Sequence, residues 1–271
     1  MAIFQIHFVH QTQEPDYRNS VQAEIDLSLL IPDMRYALKA KYPEDREEIW
    51  RDIVYGSVVQ LQSRQYPGVY LHSFNQMNPG GSRQQQVGGY AYPDLNTHWI
   101  VIRADLDEDE PQEIPSRIQY LKNGDYLRFR HVPTRRCLHS HNWRTYTDPN
   151  NKQMNEVTAY GQFDFDGDAN DWWMVETVDP STRKTIVTVD EQDREPVRAL
   201  ETSFRLRHVE LGCYLTASDS VLPETWGQGR NEIICRTEAS VTPKSIWRIT
   251  MNDHDYCNAR AVMCNGKRTD I

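Results

Sequence analysis

The feature that most constrains this chain is one motif that occurs three times in 271 residues. It runs strand, turn, then a second strand entered through a leucine. The first copy is Gly56-Ser57-Val58-Val59-Gln60-Leu61-Gln62-Ser63, then Pro67-Gly68-Val69-Tyr70-Leu71-His72-Ser73. The second is Gly124-Asp125-Tyr126-Leu127-Arg128-Phe129-Arg130-His131, a turn at Pro133-Thr134, then Cys137-Leu138-His139-Ser140-His141. The third is Ser203-Phe204-Arg205-Leu206-Arg207-His208-Val209, then Leu211-Gly212-Cys213-Tyr214-Leu215. Each is followed by a Gln/Glu–apolar pair (Gln86-Val87, Glu156-Val157, Glu232-Ile233). A tryptophan then opens a short apolar run (Trp99-Ile100-Val101-Ile102, Trp173-Met174-Val175, Trp247-Arg248-Ile249). The tryptophans are 74 and 74 positions apart (173 − 99, 247 − 173), and the leucines 67 and 77. A near-constant period with slack between anchors is what variable loops on a fixed scaffold give.

Each unit holds about four short strands, so three units make roughly twelve. This predicts an all-β chain, a β-trefoil: a closed barrel with three hairpins capping one end, which leaves no sheet edge to aggregate. The three tryptophans then occupy three-fold equivalent core positions. The trefoil is expected over 55–250, with repeats at about 55–104, 122–178 and 202–250, and a loose tail over 251–271. Residues 1–54 do not fit the repeat. Met1–Val9 is apolar but far shorter than the roughly 20 residues of a membrane helix. It reads as an edge strand or the end of a longer membrane helix. Residues 11–54 read as a short helical arm: Met34–Lys41 favours helix, and Pro43 with the acids after it starts a second one well.

Composition narrows the function. The net charge of −9 argues against nucleic acid and anionic membrane surfaces as partners. The hydrophobic fraction of 38% is low for a globular domain and implies long polar loops on a modest core. Asp105–Glu110 is expected to be a solvated linker and Asn78–Ser82 a flexible loop. Asp164–Asp171 resembles the start of a calcium loop but lacks its closing acid and flanking helices, so a surface turn is expected. None of the five cysteines forms a CxxC. Cys137 and Cys213 read as small core residues; Cys257 and Cys264 would pair in an oxidising compartment.

His72-Ser73 and His139-Ser140-His141 leave the repeats at equivalent places, where the third repeat has Thr216-Ala217-Ser218. Adjacent strand residues point to opposite faces, so His–Ser is no nucleophile–base pair, and no acid can be assigned to orient the histidine. A zinc site lacks a third ligand. Two readings remain. Either the histidines bond loop carbonyls and fix the hairpin ends, or they floor shallow sugar- or peptide-binding pockets. On the second reading the ligand set is His72, Ser73, Gln85, His139, Ser140, His141 and Glu156, with no catalytic residue and no metal ligand.

These Leu-His-Ser elements resemble the MIR domain of the dolichyl-phosphate-mannose–protein mannosyltransferases. So do Gln84-Gln85-Gln86-Val87, Asn155-Glu156-Val157-Thr158-Ala159-Tyr160-Gly161 and Gly167-Asp168-Ala169-Asn170-Asp171-Trp172-Trp173. Leu222-Pro223-Glu224-Thr225-Trp226-Gly227 resembles that family's Leu-Pro-x-Trp-Gly with one residue inserted. The resemblance covers about 55–250. It implies a β-trefoil in the lumen of the endoplasmic reticulum, within a multi-pass enzyme that moves mannose from dolichyl phosphate mannose to Ser or Thr of proteins. The family's catalytic Asp-Glu pair lies in another luminal loop and is absent here. The resemblance therefore implies a non-catalytic luminal domain, or fragment, that recognises acceptor polypeptide or glycan. It implies no cofactor for this chain, and a second mannosyltransferase subunit as a partner. The alternative is a stand-alone luminal MIR protein that assists chaperones; Lys267–Ile271 is not the retention signal such a protein wants. Departures from the family pattern are the missing Leu-His-Ser in repeat three, Gly88-Gly89 after the triple glutamine, and the helical stretch at 21–54.

Overall fold

The structure, a computed structural model, describes residues 51–103, 119–161, 167–188 and 190–253. The expected helical arm up to residue 50, the Asp105–Glu110 run, Asp164–Asp166, Cys257 and Cys264 lie outside the described residues. Alternating apolar residues make short strands, and among the described residues there are thirteen. Repeat one supplies β1 (Val58–Ser63), β2 (Tyr70–Met77), β3 (Gln85–Tyr90) and β4 (Trp99–Arg103). Repeat two supplies β5 (Tyr126–His131), β6 (Cys137–Arg144), β7 (Met154–Tyr160) and β8 (Trp173–Asp179). A two-residue β9 (Lys184–Thr185) pairs with the end of β8. Repeat three supplies β10 (Phe204–His208), β11 (Tyr214–Val221), β12 (Asn231–Arg236) and β13 (Trp247–Asp253).

The first and fourth strands of the repeats close a six-stranded antiparallel barrel: β1 pairs β4, β4 pairs β5, β5 pairs β8, β8 pairs β10, β10 pairs β13, and β13 returns to β1. The second and third strands form hairpins β2–β3, β6–β7 and β11–β12. Their inner strands close a second ring, β3 to β7 to β12 and back to β3. These two closed rings are the β-trefoil. The hairpin anticipated within Gly124–His141 is a different object. β5 and β6 pair only at Arg130–Cys137 before β5 enters the barrel and β6 the cap, and the same holds at Gln62–Tyr70 and Arg207–Tyr214.

Trp99, Trp173 and Trp247 are all 0% exposed. Each indole Nε1 donates to the carbonyl of its own repeat's leucine, Leu71 at 3.1 Å, Leu138 at 2.9 Å and Leu215 at 2.8 Å. The bond ties the fourth strand to the second and satisfies a buried donor. Val59, Leu61, Leu127, Phe129, Phe204 and Leu206 point inward between them.

The barrel's other end is shut by three backbone segments the repeat pattern did not reveal. Ile53 N–H donates to Val197 O, Val197 N–H to Leu121 O and Leu121 N–H to Ile53 O, each at 2.8 Å, a cyclic set with all three side chains buried. Residues 51–54 thus pack in the barrel, although the sequence groups them with the preceding segment, and 195–199 are floor rather than connector. At the far end β13 runs to Asp253, paired with Val58, past the expected boundary at 250.

Cys213 is not a lone core cysteine: it forms a disulfide with Cys235, across β11 and β12, while Cys137 is buried and free. The bridge closes a loop of 22 residues, which in the chain-entropy picture contributes about 3 kcal/mol. Reduction, or the double change Cys213→Ala/Cys235→Ala, is expected to lower the melting temperature by roughly 10 °C. An unchanged melting temperature with reductant present would show that the bridge contributes nothing.

Candidate functional site

Strand register sets the equivalences. His72 lies opposite Gly88, His139 opposite Thr158 and Thr216 opposite Ile234. Two residues beyond the cross-strand partner stand Tyr90, Tyr160 and Arg236. Five residues before each tryptophan a short 3₁₀ turn begins, capped by Asp94, Asp168 and Thr242. In repeats one and two the cap is a carboxylate that accepts from the N–H two residues on, Asn96 or Asn170, at 2.8 Å. Asp and Asn cap well because a short oxygen-bearing side chain reaches orphan N–H groups.

The first site has His72 as its floor, 1% exposed. Its Nε2 lies 3.6 Å from Asp94 Oδ1, and its ring packs on Tyr90 at 4.9 Å and Phe74 at 5.7 Å. The second site repeats this. His139 is 1% exposed, with Nδ1 3.7 Å from Asp168 Oδ1 and its ring 4.9 Å from Tyr160. His139 Nδ1 also meets Asp171 Oδ1 at 2.8 Å, and its Nε2 meets His141 Nδ1 at 3.1 Å. The capping carboxylates are 44% and 41% exposed. Each site is therefore a buried imidazole holding an exposed carboxylate and a tyrosine face at the rim. Exposed Tyr92 and Leu95 extend the first rim, and exposed Trp143 lies beside His141 at the second. Burial drives the His72 pKa down to about 4, and the Arg230 cation nearby adds to that, so its imidazole is neutral near pH 7.

The histidines therefore meet carboxylates rather than loop carbonyls. The carbonyl-bonding role belongs to His131 and His208, whose Nε2 atoms meet Asn96 O at 3.1 Å and Asn170 O at 2.8 Å. The serines face away: Ser73 and Ser140 are buried and donate to Gln86 O and Glu156 O, both at 2.8 Å, pinning each hairpin. Gln85, also buried, bonds Ser73 and Thr134 through Nε2 and accepts from Arg136. It faces no open surface.

Glu156 sits at the centre of the cap with its three-fold mates Gln86 and Glu232, all buried. It accepts from Asn78 Nδ2 at 2.8 Å, Tyr146 OH at 2.9 Å and Ser82 N–H at 3.2 Å, and His141 Nε2 is 3.7 Å away. Burial raises its pKa, but these bonds outweigh it and leave the net shift downward; Glu232 is pushed up by burial. The Asn78–Ser82 loop, expected to be flexible, is thus tied down, with Gly80 O also 2.7 Å from the Tyr146 hydroxyl. The Leu-Pro-Glu-Thr-Trp-Gly stretch makes one helical turn, Glu224–Gly227, whose Trp226 ring lies 4.9 Å from Tyr146. Of the sequence-derived set, only His72, His139 and His141 adjoin the two rims. Asp94, Asp168, Tyr90 and Tyr160 were missed, because they arrive from later strands and align only through register.

His139, Asp168 and Asp171 offer three ligand atoms within 4.8 Å of one another. The same two carboxylates serve the turn: Asp171 Oδ2 accepts Asp168 N–H at 2.8 Å, and Asp168 Oδ1 accepts Asn170 N–H. Burial raises the Asp171 pKa against the His139 bond.

Residues 69–242 match the MIR domain family. The chain is 32% identical over 255 residues to dolichyl-phosphate-mannose–protein mannosyltransferase 1 of Saccharomyces cerevisiae, which covers 94% of this chain and 28% of that protein. It is 34% identical over 206 residues to protein O-mannosyl-transferase 2 of Drosophila melanogaster, covering 75% of this chain and 24% of that protein. Among solved structures, the S. cerevisiae protein O-mannosyltransferase Pmt1-Pmt2 complex bound to the sugar donor superposes with a TM-score of 0.63 at 30% identity. That match covers 79% of this chain and 30% of the other. The chain spans about a quarter of the length of these relatives. It belongs to the MIR domain family, as a β-trefoil homologous to part of the protein O-mannosyltransferases.

Proposed function

We propose that this chain is a non-catalytic luminal domain of a protein O-mannosyltransferase. It acts in the endoplasmic reticulum and holds acceptor polypeptide, or the mannose already on it, at the two His–Tyr–Asp sites. The relatives' donor, dolichyl phosphate mannose, is then used elsewhere in the whole enzyme, and a second mannosyltransferase subunit is the natural partner. The observation that carries this reading is the concerted change in repeat three. Histidine, tyrosine and aspartate are replaced together, by Thr216, Arg236 and Thr242, while the Trp–Leu framework persists. Residues that vary as a set while the scaffold stays serve a site rather than the scaffold. An exposed carboxylate beside a tyrosine face suits vicinal hydroxyls and backbone amides, and the buried histidine fixes both. The disulfide fits an oxidising lumen.

Titration of the chain with mannosylated and unmodified Ser/Thr-rich peptides tests this. Asp94→Asn and Asp168→Asn are each expected to weaken binding about tenfold, the size of a lost charged hydrogen bond. Thr242→Ala should have no effect. Binding that survives the Asp94→Asn/Asp168→Asn double change intact, or mannose transfer by the isolated chain, would refute the assignment.

A further inference from the structure

The two sites share a plan but differ in charge. Repeat three walls the first site with Arg230, which precedes Asn231, the partner of Gly89 across β12 and β3. The same place beside the second site is taken by Gln84, which precedes Gln85, the partner of Ala159. Within the 3₁₀ turns, Thr97 stands in the first site where Asp171 stands in the second. Each difference adds one positive charge to the first site relative to the second.

Arg230 is 8% exposed. Its guanidinium lies over the Phe74 ring at 4.1 Å and the Tyr90 ring at 5.1 Å, and its stem crosses Gly88, whose Cβ position is 3.4 Å from Arg230 Cβ. At Gly89 an added Cβ would stand 2.5 Å from Val69 Cγ1 and 3.0 Å from Asn231 Cβ, so that position is held to glycine by its neighbours across the strands. Of the guanidinium nitrogens, Nη2 donates to Gln228 Oε1 at 2.8 Å, whereas Nε and Nη1 have no hydrogen-bond partner. No carboxylate among the described residues lies within the 4.0 Å of an ion pair. His72 Nδ1, in the same site, is buried and equally without a partner. Gln84, by contrast, is satisfied: Thr158 Oγ1 donates to its Oε1 at 2.6 Å. Asp94 acts on the guanidinium across the site but makes no ion pair with it; a buried cation so weakly balanced is costly, and aromatic faces compensate it only in part.

We propose that the first site receives an oxyanion, a carboxylate or phosphate group borne by its ligand, and that Arg230 selects it. This rests on the reading of the His–Tyr–Asp sites as ligand sites. Phe74 and Tyr90, the rings over the guanidinium, are both partly exposed, and entry of the anion requires one of them to turn aside. The oxyanion then completes the two idle N–H donors as charge-assisted bonds. The second site, with Gln84 and two aspartates, takes the uncharged part of the ligand.

Acetate, inorganic phosphate and neutral acetamide are the probes, added to the full chain at constant ionic strength while the arginine Nε–H signals are followed by NMR. Acetate or phosphate should shift one buried arginine signal saturably and acetamide should not. This comparison uses the unaltered chain and needs no variant to fold. Tighter phosphate points to a phosphorylated glycan as the source, and tighter acetate to an acidic polypeptide. Arg230→Gln should weaken the anion at least about tenfold, and Arg230→Lys should restore only part of the binding, because an ammonium keeps the charge but not the stacked two-donor fork. Equal responses to acetate and acetamide, or an Arg230→Gln protein that is folded and binds as before, would overturn the proposal. Neutral mannosylated peptide that binds regardless of Arg230 leaves the site assignment standing and removes only the anion. Arg230-dependent anion binding with no affinity for any peptide does the reverse.

Discussion

Trp173→Ala is expected to cost about 3–5 kcal/mol from the cavity alone, and roughly 1–3 kcal/mol more because the Leu138 carbonyl loses its buried donor. Against a typical total stability of about 5–15 kcal/mol, that brings the domain to the edge of unfolding. Trp99→Ala and Trp247→Ala should cost the same within about 1 kcal/mol, because each indole is fully buried and makes the same bond in its own repeat. Trp→Phe at any of the three should cost distinctly less, since most of the volume stays and chiefly the N–H is lost. Urea unfolding of the six variants checks this. One alanine variant nearly as stable as the parent would mean that the repeats do not share the load and the three-fold picture is only topological.

That symmetry was legible in the sequence because tryptophan and leucine are large, rare at a fixed spacing, and retained in every repeat. The floor was not legible for the opposite reason. Ile53, Leu121 and Val197 are different apolar residues in runs too short for periodicity, and backbone hydrogen bonds, which carry no sequence signature, join them. The fate of Cys213 was hidden similarly. Its partner Cys235 lies across β11 and β12, and only the register of that pair brings the two together.

The site divides along the same line. Leu-His-Ser announced that two repeats differ from the third, but sequence adjacency suggested that the serine and histidine work together. Strand alternation sends Ser73 and Ser140 to the hairpin carbonyls and the histidines to the rim. Asp94 and Tyr90 are 22 and 18 positions from His72, on different elements, and Arg230 belongs to another repeat. Their convergence depends on the closed ring of β3, β7 and β12, which no local pattern encodes. Asp94 and Asp168 did leave one signal: each stands five residues before the tryptophan, as a capping residue should for a single turn leading into a strand.

Acid should unfold this domain abruptly between about pH 5 and 4. His72, His131 and His208 are at most 1% exposed, and burial holds the pKa of each down at about 4. In the unfolded chain a histidine titrates near 6.5. Between those values the unfolded chain binds three protons that the folded one refuses, so stability is fully present above about pH 6.5 and falls as pH falls toward 4. Each histidine withdraws up to about 3 kcal/mol over that window, and three together approach the whole stability of a typical domain. His131 and His208 take the main part outside the binding sites. Their Nε2 atoms meet the 3₁₀-turn carbonyls, and His208 Nδ1 accepts Leu211 N–H at 3.1 Å while His131 Nδ1 meets Thr134 Oγ1 at 2.8 Å. Glutamine can donate and accept at nearly the same places without taking a proton. His131→Gln/His208→Gln should therefore move the acid midpoint down by at least about half a pH unit while changing stability little at pH 7.5. Circular dichroism followed from pH 8 to pH 3 measures both. An unmoved midpoint in a well-folded double variant would mean that other groups, and not these buried imidazoles, open the barrel in acid.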